Sequence, residues 1–197
     1  MIKYSEACER NKDPILNILK QAFSQSHRVL EIGSGTGQHA VYFAKHLTHI
    51  VWQPSDIDDH LPWLKERIDI EGTENLKCPI ELDVATLPWP VKDIDAVFTA
   101  NTFHIMSWEL VDYFFSGLGE VLKPGGVLCV YGPFKYKGKY TSESNEKFDG
   151  YLKKRDPRSG IRDFEDVNKL ATEQGLILAG DNKMPANNQC IVWKAIK

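Results

Sequence analysis

The sequence predicts an α/β fold with a seven-stranded, mostly parallel β-sheet whose last strand is antiparallel. Three observations support this prediction. Short apolar runs typical of buried strands alternate with segments whose apolar residues recur at helical spacing. A glycine-rich turn follows the first apolar run, at residues 33–37. Two further apolar runs joined by residues 184–188 close the chain, as expected for an antiparallel hairpin.

The N-terminal part of the chain predicts a helix, a strand and a second helix. Asp13 is a suitable N-cap and Pro14 a suitable first helical residue, and the apolar residues that follow recur on one face. The preceding residues 4–11 are polar and cannot bury themselves, so they either cover a site or fray. Residues 29–32 then predict a buried strand, and residues 38–44 predict an amphipathic helix.

The rest of the chain continues this alternation, which implies a parallel sheet with right-handed crossovers. Further strands are predicted at residues 50–55, 76–82, 94–100, 127–131, 176–179 and 189–196. Further helices are predicted at residues 63–70, 110–122, 146–154 and 164–171, the last of them capped by Asp163. Residues 132–145 are expected to form a long polar and aromatic loop.

Length and composition limit the class of protein. The chain of 197 residues is long enough for one well-buried domain, residues 1–197, and short for two. The net charge is −3, the isoelectric point is about 6.1, and no long block of Lys or Arg occurs, so we expect neither a nucleic-acid nor a membrane partner. Because no apolar run is as long as a signal or spanning segment requires, we expect a cytoplasmic protein. The oligomeric state stays open.

The cysteine pattern argues against two kinds of site. The four cysteines are scattered and form no C-x-x-C pair; they are Cys8, Cys78, Cys129 and Cys190. This spacing disfavours both a metal centre and a redox pair, so we predict no bound metal and free thiols in a reducing compartment.

The turn after the first strand has the properties of a cofactor-binding loop. Gly33, Gly35 and Gly37 let the backbone adopt sharp or positive-φ conformations and let a ligand approach closely. The helix predicted directly after them points its N-terminus at that ligand. The G-x-G-x-x-G fingerprint of dinucleotide-binding proteins needs a third glycine where this chain has Gln38, which argues against a dehydrogenase.

With Glu31 placed two residues before the first glycine, the turn has the pattern E-x-G-x-G-x-G. This pattern resembles motif I of the class I S-adenosylmethionine-dependent methyltransferases. The resemblance implies a Rossmann-like, seven-stranded methyltransferase sheet that ends in an antiparallel hairpin. It also implies that the glycines pass under the methionine part of S-adenosylmethionine, and that Glu31 helps orient the loop and the amino group of this cofactor.

Two carboxylates at predicted strand ends extend the expected cofactor site. Ligands of open α/β sheets bind beyond the carboxyl ends of the strands, where Asp56 and Asp83 lie. Asp56 lies 21 residues after Gly35 and can accept both hydrogen bonds of a ribose diol. Asp83 can accept from an adenine amino group while the backbone N–H of Val84 meets a ring nitrogen, which resembles the methyltransferase pattern. A lone Asp at a strand end is more commonly a cap or turn residue.

The segment after the strand at residues 94–100 is expected to lie near the transferred methyl group. Class I enzymes place groups near the methyl there, so the resemblance makes Asn101 a candidate cofactor ligand. His104 is a candidate general base, because imidazole titrates near neutral pH. Packing beside the cofactor is the alternative for His104. The signatures of exocyclic-amine and cytosine-ring methylation are missing at this position, which argues against a nucleobase acceptor.

Several stretches spread over nearly the whole chain resemble one narrower group, the methyltransferase-like proteins long labelled a domain of unknown function. These stretches are CERN at 8–11, DPI at 13–15, GSGTGQHA at 33–40, WQPSD at 52–56, YGPF at 131–134, RDP at 155–157, GIRD at 160–163 and MPANNQ at 184–189. The polar groups on them that can converge over the carboxyl edge of the sheet are Arg10, Asn11, Tyr131, Arg162, Asn187 and Asn188. Alternatively, Arg162 forms a surface ion pair and residues 187–188 form a turn.

We therefore predict an enzyme that transfers a methyl group from S-adenosylmethionine to a small-molecule acceptor. The predicted catalytic or acceptor-binding residues are Arg10, Asn11, His104, Tyr131, Asn187 and Asn188. The electrophile is already activated in the cofactor, so the protein mainly supplies alignment and exclusion of water. The alternative is a catalytically silent module that binds the cofactor or a partner protein, since a sensor and an enzyme need the same cofactor-binding residues.

Overall fold

A seven-stranded β-sheet forms the centre of this computed structural model, which describes residues 3–196. In chain order the strands are β1 (Arg28–Ile32), β2 (Val51–Asp56), β3 (Ile80–Glu81), β4 (Ile94–Ala100), β5 (Leu122–Gly132), β6 (Phe134–Tyr136), β7 (Lys139–Tyr140), β8 (Arg162–Asp163), β9 (Leu176–Met184) and β10 (Asn188–Ala195). The helices are α1 (Glu6–Ala22), α2 (Gln38–His46), α3 (Leu61–Glu71), α4 (Trp108–Val121), α5 (Glu143–Arg155) and α6 (Phe164–Glu173).

The order of the strands in the main sheet is β3-β2-β1-β4-β5-β10-β9. Strand β10 is antiparallel to both of its neighbours, β5 and β9, and the other neighbours in this sheet pair in parallel. The predicted α/β fold, with a mostly parallel sheet and an antiparallel last strand, is confirmed. Strands β7, β6 and β8 form a separate small sheet in that order.

Helices cover both faces of the main sheet, because successive side chains of each strand point to opposite faces. On one face Val29 belongs to an apolar cluster with buried residues of α1 and α2. On the other face Leu30 belongs to a cluster with buried residues of α4 and α6. Since both faces are covered, a ligand has access to the sheet only along its edges, and the carboxyl edge carries the glycine-rich turn.

Helix α1 begins eight residues before the predicted position. Its N-cap is Ser5, whose hydroxyl accepts a hydrogen bond from the backbone N–H of Cys8 at 3.4 Å, so Asp13 and Pro14 lie inside the helix. A proline in a helix interior removes one backbone hydrogen bond. The helix continues through this position because its apolar face is buried against the core, where Ile15 is fully buried. The polar residues 4–11 are therefore mostly helical, and their N-terminal end lies at the carboxyl edge of the sheet.

Other predicted segments also differ: β5 begins at Leu122 instead of residue 127, and β9 extends to Met184 instead of residue 179. Strand β3 covers only Ile80–Glu81 of the predicted residues 76–82, because Pro79 has no N–H to donate to a strand ladder, and Leu76 forms only an isolated bridge. The expected loop at residues 132–145 contains the short hairpin of β6 and β7. Lys137 and Gly138 both have positive φ in its turn, the backbone that two-residue hairpin loops favour.

The structure also shows where several other features predicted from the sequence lie. Asp163 is the N-cap residue of α6, but its side chain makes no capping bond; it instead accepts from the backbone N–H of Gly138 at 2.7 Å and pairs with Lys135 at 2.9 Å. The four cysteines are free thiols. Within residues 3–196, no three His, Cys, Asp or Glu side chains are grouped as a metal site requires. No helix in this part of the chain has both the length and the apolar character needed to cross a membrane.

Candidate functional site

A cavity of about 610 Å³ lies at the carboxyl edge of the main sheet. Its walls come from the glycine-rich turn after β1 and from the segments that follow β2, β3 and β4. The first turn of α1 and one residue of α5 close it from above. The volume is within the range of small-molecule and cofactor sites, and the location is that expected for an open α/β sheet.

The glycine-rich turn forms the floor of the cavity. The backbone N–H groups of Gly33 and Ser34 both donate to the carbonyl of Ser55 at 3.0 Å, which holds the turn against the end of β2. Gly33 has a φ of +73°, and a Cβ built there would lie 2.6 Å from Cγ2 of Thr102. Gly35 has a φ of +55°, but a Cβ built there meets no atom within 4 Å. Gly35 therefore faces free space in the cavity, where a ligand can approach the backbone.

Asp56 connects this turn to the end of β2. One carboxylate oxygen accepts from the backbone N–H of Gly35 at 2.6 Å, and the other accepts from the N–H of Ile57 at 2.9 Å and lies 2.8 Å from Nδ1 of His60. Asp56 is buried and lines the cavity. The side chain thus holds the turn in place and presents a carboxylate to the ligand space.

Asp83 and Val84 lie on the other side of the cavity, after β3. Asp83 is exposed and accepts from the backbone N–H of Ala85 at 2.9 Å through one carboxylate oxygen. Val84 is buried, and both residues line the cavity. The structure therefore brings the two predicted carboxylates, Asp56 and Asp83, to the same cavity as the glycine-rich turn.

Glu31 and Gly37 support the turn from outside the cavity. Glu31 is buried and accepts from Nε1 of Trp52 at 3.0 Å. Burial raises the pKa of the Glu31 carboxyl to about 7. Gly37 has a φ of +74°, and a Cβ there would lie 2.8 Å from Leu64, so this position needs both the backbone conformation and the close approach that glycine allows.

The start of α1 is attached to the turn by two side chains that the sequence did not point to as site residues. Gln38 binds both backbone groups of Ser5, accepting from its N–H and donating to its carbonyl. Arg67 of α3 donates to the carbonyl of Thr36 at 2.6 Å and to that of Lys3 at 2.6 Å. Since Ser5 lines the cavity, these bonds make the N-terminal segment part of its wall.

Asn101 and His104 line the cavity after β4. Asn101 has a φ of +59°, and its backbone N–H donates to the carbonyl of Tyr131 at 2.8 Å. His104 is buried, and its ring contacts the ring of Phe148 edge-on at a centroid distance of 5.3 Å. Burial, assisted by the positive charge of Arg162, lowers the pKa of His104 to about 4. His104 is therefore neutral near pH 7.

The remaining predicted site residues lie outside the cavity lining. Arg10 is exposed and pairs with Glu6 at 3.2 Å. Asn11 is buried and its Oδ1 lies 2.7 Å from Nε2 of His39, a residue that does line the cavity. Burial raises the pKa of Tyr131, and side-chain hydrogen bonds with Asn11 and Asn188 oppose that rise. Asn11, Tyr131 and Asn188 thus form a polar cluster behind His39.

The loop before β10 contacts α5 rather than the cavity. Asn187 is exposed, donates to the hydroxyl of Ser144 at 3.1 Å, and accepts from Asn145 through its backbone carbonyl at 2.9 Å. Asn188 donates within the loop to the carbonyls of Pro185 and Ala186. These bonds attach the loop to the first turn of α5.

Arg162 does not form the surface ion pair that was the alternative expectation for it. Its guanidinium donates to three backbone carbonyls, those of Phe103 at 2.9 Å, Arg158 at 3.0 Å and Met106. Arg162 therefore stabilises the turn that carries His104.

The cavity-lining side chains that were not predicted as site residues include His39, His60 and Phe148. His39 lies on the buried face of α2 and His60 on the 3-10 turn after β2, four residues after Asp56. Phe148 comes from α5, whose position over the cavity depends on packing between distant segments. No local pattern in the sequence signals such a contact.

The fold and the cavity define a class I methyltransferase-like protein, with a glycine-rich turn and strand-end carboxylates in one pocket. The chain belongs to the family described as "Protein of unknown function (DUF938)", which matches residues 2–195. This assignment confirms the narrower resemblance noted in the sequence.

Three similar proteins illustrate the relationship. A fatty-acid O-methyltransferase of Mycolicibacterium smegmatis is 31% identical over 129 residues, which cover 64% of this chain and 45% of that protein. The structure of an O-methyltransferase family protein from Burkholderia thailandensis matches with a TM-score of 0.83 and 12% identity, covering 96% of this chain and 57% of that one. PigF with SAH matches with a TM-score of 0.80 and 16% identity, covering 94% and 56%. The chain thus spans about half the length of these relatives.

Proposed function

We propose that this protein transfers a methyl group from S-adenosylmethionine to a small-molecule acceptor. The observation that carries the proposal is the convergence of the glycine-rich turn, Asp56 and Asp83 on one cavity. The carboxylate of Asp56 suits a ribose diol, and Asp83 with the backbone of Val84 suits the edge of an adenine ring. The open space at Gly35 suits the methionine part of the cofactor.

These residues fit the cofactor in chemistry as well as in position. S-adenosylmethionine, when bound, supplies a methyl group on a positively charged sulfur, which needs no further activation. The protein has to hold the acceptor in line with that methyl and to exclude water. Asn101 and His104 lie on the wall after β4, where they can position the acceptor, and neutral His104 can form a hydrogen bond with it.

The similar proteins support this proposal through what their names state. The curated relative is a fatty-acid O-methyltransferase, and the similar structures include O-methyltransferases and one protein with SAH. A small-molecule acceptor also agrees with a similar structure solved as a complex with apigenin.

A catalytically silent binding module is the second candidate. The observation in its favour is that Arg10 and Asn187, expected near the acceptor, are exposed and lie outside the cavity. A module that only holds the cofactor needs the glycine-rich turn and Asp56 but not an acceptor pocket. Turnover, rather than binding, separates the two candidates.

Calorimetry with S-adenosylmethionine, S-adenosylhomocysteine and NAD tests cofactor binding. We expect both adenosyl ligands to bind the wild type, and Asp56→Ala to weaken binding by about tenfold or more, because Asp56 both holds Gly35 and faces the ligand. Asp59→Ala is the matched control, since Asp59 is exposed on the adjacent 3-10 turn. Binding of NAD without binding of either adenosyl ligand would contradict the proposal.

Incubation of metabolite extracts with methyl-labelled S-adenosylmethionine tests turnover. We expect labelled small molecules that depend on the protein and are lost with Asp56→Ala. Label found only in RNA or protein fractions would contradict a small-molecule acceptor. Tight cofactor binding without label in any fraction would favour the binding module.

A further inference from the structure

The charges around the cavity restrict the acceptor. Within residues 3–196, no lysine or arginine lines the cavity, and its acidic residues are Asp56 and Asp83. Both of these carboxylates face positions that the proposed function gives to the cofactor. The acceptor side therefore presents no fixed positive charge, which proteins normally use to bind a carboxylate, phosphate or sulfonate.

The arginines that contact lining residues are held in place by hydrogen bonds to backbone carbonyls. Arg67 donates to two backbone carbonyls, and its Nη1 donates to both carboxylate oxygens of Glu71 at 2.8 and 2.9 Å. Arg162 donates to three backbone carbonyls around the turn that carries His104. Turning either guanidinium toward a ligand would break these hydrogen bonds to backbone carbonyls, which opposes the interaction gained.

The cavity-lining histidines His39 and His104 do not supply the missing charge. Burial lowers the pKa of both His39 and His104 to about 4. Both rings contact aromatic side chains: His39 stacks on Phe43 at a centroid distance of 5.2 Å, and His104 lies edge-on to Phe148 at 5.3 Å. At neutral pH they are uncharged, so they can donate or accept a hydrogen bond but cannot pair with an anion.

The mouth of the cavity is apolar. Ile105 and Phe148 both line the cavity, yet they are 55% and 37% exposed. When a ligand covers large apolar side chains at the rim of a pocket, binding is favoured because apolar surface is removed from water. Phe148 lies on α5, an element outside the main sheet, so it can contact a ligand that extends beyond the cofactor.

We propose, on the basis of the proposed function, that the acceptor has an uncharged aromatic or aliphatic body, which packs against Phe148 and Ile105 and directs its reacting atom toward Asn101 and His104. An acidic group at the reacting atom itself is compatible with this arrangement, because it faces the sulfonium of the cofactor. A second anionic group, remote from the reacting atom, is rejected because nothing at the mouth compensates the loss of its hydration.

Calorimetry on the protein saturated with S-adenosylhomocysteine tests this inference with two probes of one shape, 2-naphthol and 6-hydroxynaphthalene-2-sulfonate. We expect 2-naphthol to bind at least tenfold more tightly than the sulfonate. Phe148→Ala should weaken 2-naphthol at least fivefold, whereas Tyr151→Ala, which changes an exposed residue of the same helix outside the cavity lining, should leave it unchanged. Ile105→Arg should reduce the preference for the neutral probe at least fivefold, because it adds a cation at the mouth.

The inference is overturned if the sulfonate binds as tightly as 2-naphthol, or if neither probe binds the saturated protein. It is also overturned if Phe148→Ala and Tyr151→Ala have the same effect. Failure of the proposed function is visible separately, because S-adenosylhomocysteine would then not bind before any probe is added.

Discussion

Gln38 forms hydrogen bonds with both backbone groups of Ser5, since its Oε1 accepts from the N–H and its Nε2 donates to the carbonyl at 3.2 Å. Ser5 is the N-cap of α1 and lines the cavity, whereas Gln38 is the first residue of α2, directly after the glycine-rich turn. Together with Arg67, this side chain therefore holds the start of α1 over the glycine-rich turn. The third glycine of a dinucleotide fingerprint, which would stand at the same position, has no side chain for this role.

We expect Gln38→Ala to weaken binding of S-adenosylhomocysteine by about fivefold to tenfold, because two hydrogen bonds that hold the cavity wall are lost. Hydrogen exchange of the first turn of α1 should become faster. Gln25→Ala is the control, since Gln25 is exposed and bonds only to the neighbouring carbonyl of Ser24. Unchanged affinity with unchanged exchange would show that Ser5 stays in place without Gln38.

Alanine substitutions of the turn glycines should affect stability and ligand binding to different degrees at different positions. Gly33→Ala adds a Cβ 2.6 Å from Thr102 at a φ of +73°, so it should lower the free energy of unfolding by about 2 kcal/mol or more. Gly35→Ala has free space and should cost about 1 kcal/mol, yet its Cβ enters the cavity and should weaken binding of S-adenosylhomocysteine. Gly125→Ala has a φ of +75°, equal space and no place in the cavity. Gly125→Ala should therefore lower the free energy of unfolding as Gly35→Ala does, but should not weaken binding of S-adenosylhomocysteine. Denaturant unfolding measures the first quantity and calorimetry the second.

Ionisation of Glu31 should make the free energy of unfolding depend on pH, and Glu31→Gln should remove this contribution. Burial raises the pKa of Glu31 from its ordinary 4.5 to about 7, so the folded state holds this proton more tightly than the unfolded state does. As pH rises from about 4.5 to about 7, the unfolded chain ionises first, and the carboxyl destabilises the folded state increasingly. At about 1.4 kcal/mol per pKa unit the effect reaches about 3 kcal/mol above pH 7.

The measurable quantity is the difference in free energy of unfolding between Glu31→Gln and wild type, obtained by urea denaturation. This difference should grow in favour of the variant across pH 4.5 to 7 and then stay constant. His39 and His104, whose pKa values are lowered, act in the opposite direction, but they titrate alike in both proteins and cancel in the difference. A difference that does not change with pH would contradict a protonated Glu31.

The double change Asn187→Ala and Asn188→Ala should reduce turnover by about tenfold, or about 1.4 kcal/mol of transition-state stabilisation. The structure gives an indirect reason, because the Asn187 side chain donates to Ser144 in the first turn of α5, the helix that also carries Phe148, and the Asn188 side chain bonds within the same loop. Affinity for S-adenosylhomocysteine should stay within a few-fold. Asn187→Gly is the control for backbone strain, since Asn187 has a φ of +58°. Full activity of the double variant would show that this loop has no part in acceptor positioning.

The sheet and the part of the cavity that follows its strands could be predicted from the sequence. Gly35, Asp56 and Asp83 could be expected to meet because the carboxyl ends of parallel strands share one edge, whatever the details of the loops. Apolar periodicity and strand-end residues are local signals, so residues 94–100 matched β4 over their whole length. The start of α1 was missed for the converse reason, since the local signal of Pro14 was outweighed by burial of the helix face.

What closes the cavity depends on tertiary packing instead. Phe148 reaches the cavity because α5 packs over it, and Gln38 meets Ser5 across 33 residues of sequence. Arg10, predicted beside the acceptor, instead pairs with Glu6 on the surface, because its direction depends on where α1 begins. Such contacts arise from packing between segments that are distant in the chain, and neither spacing nor periodicity encodes them.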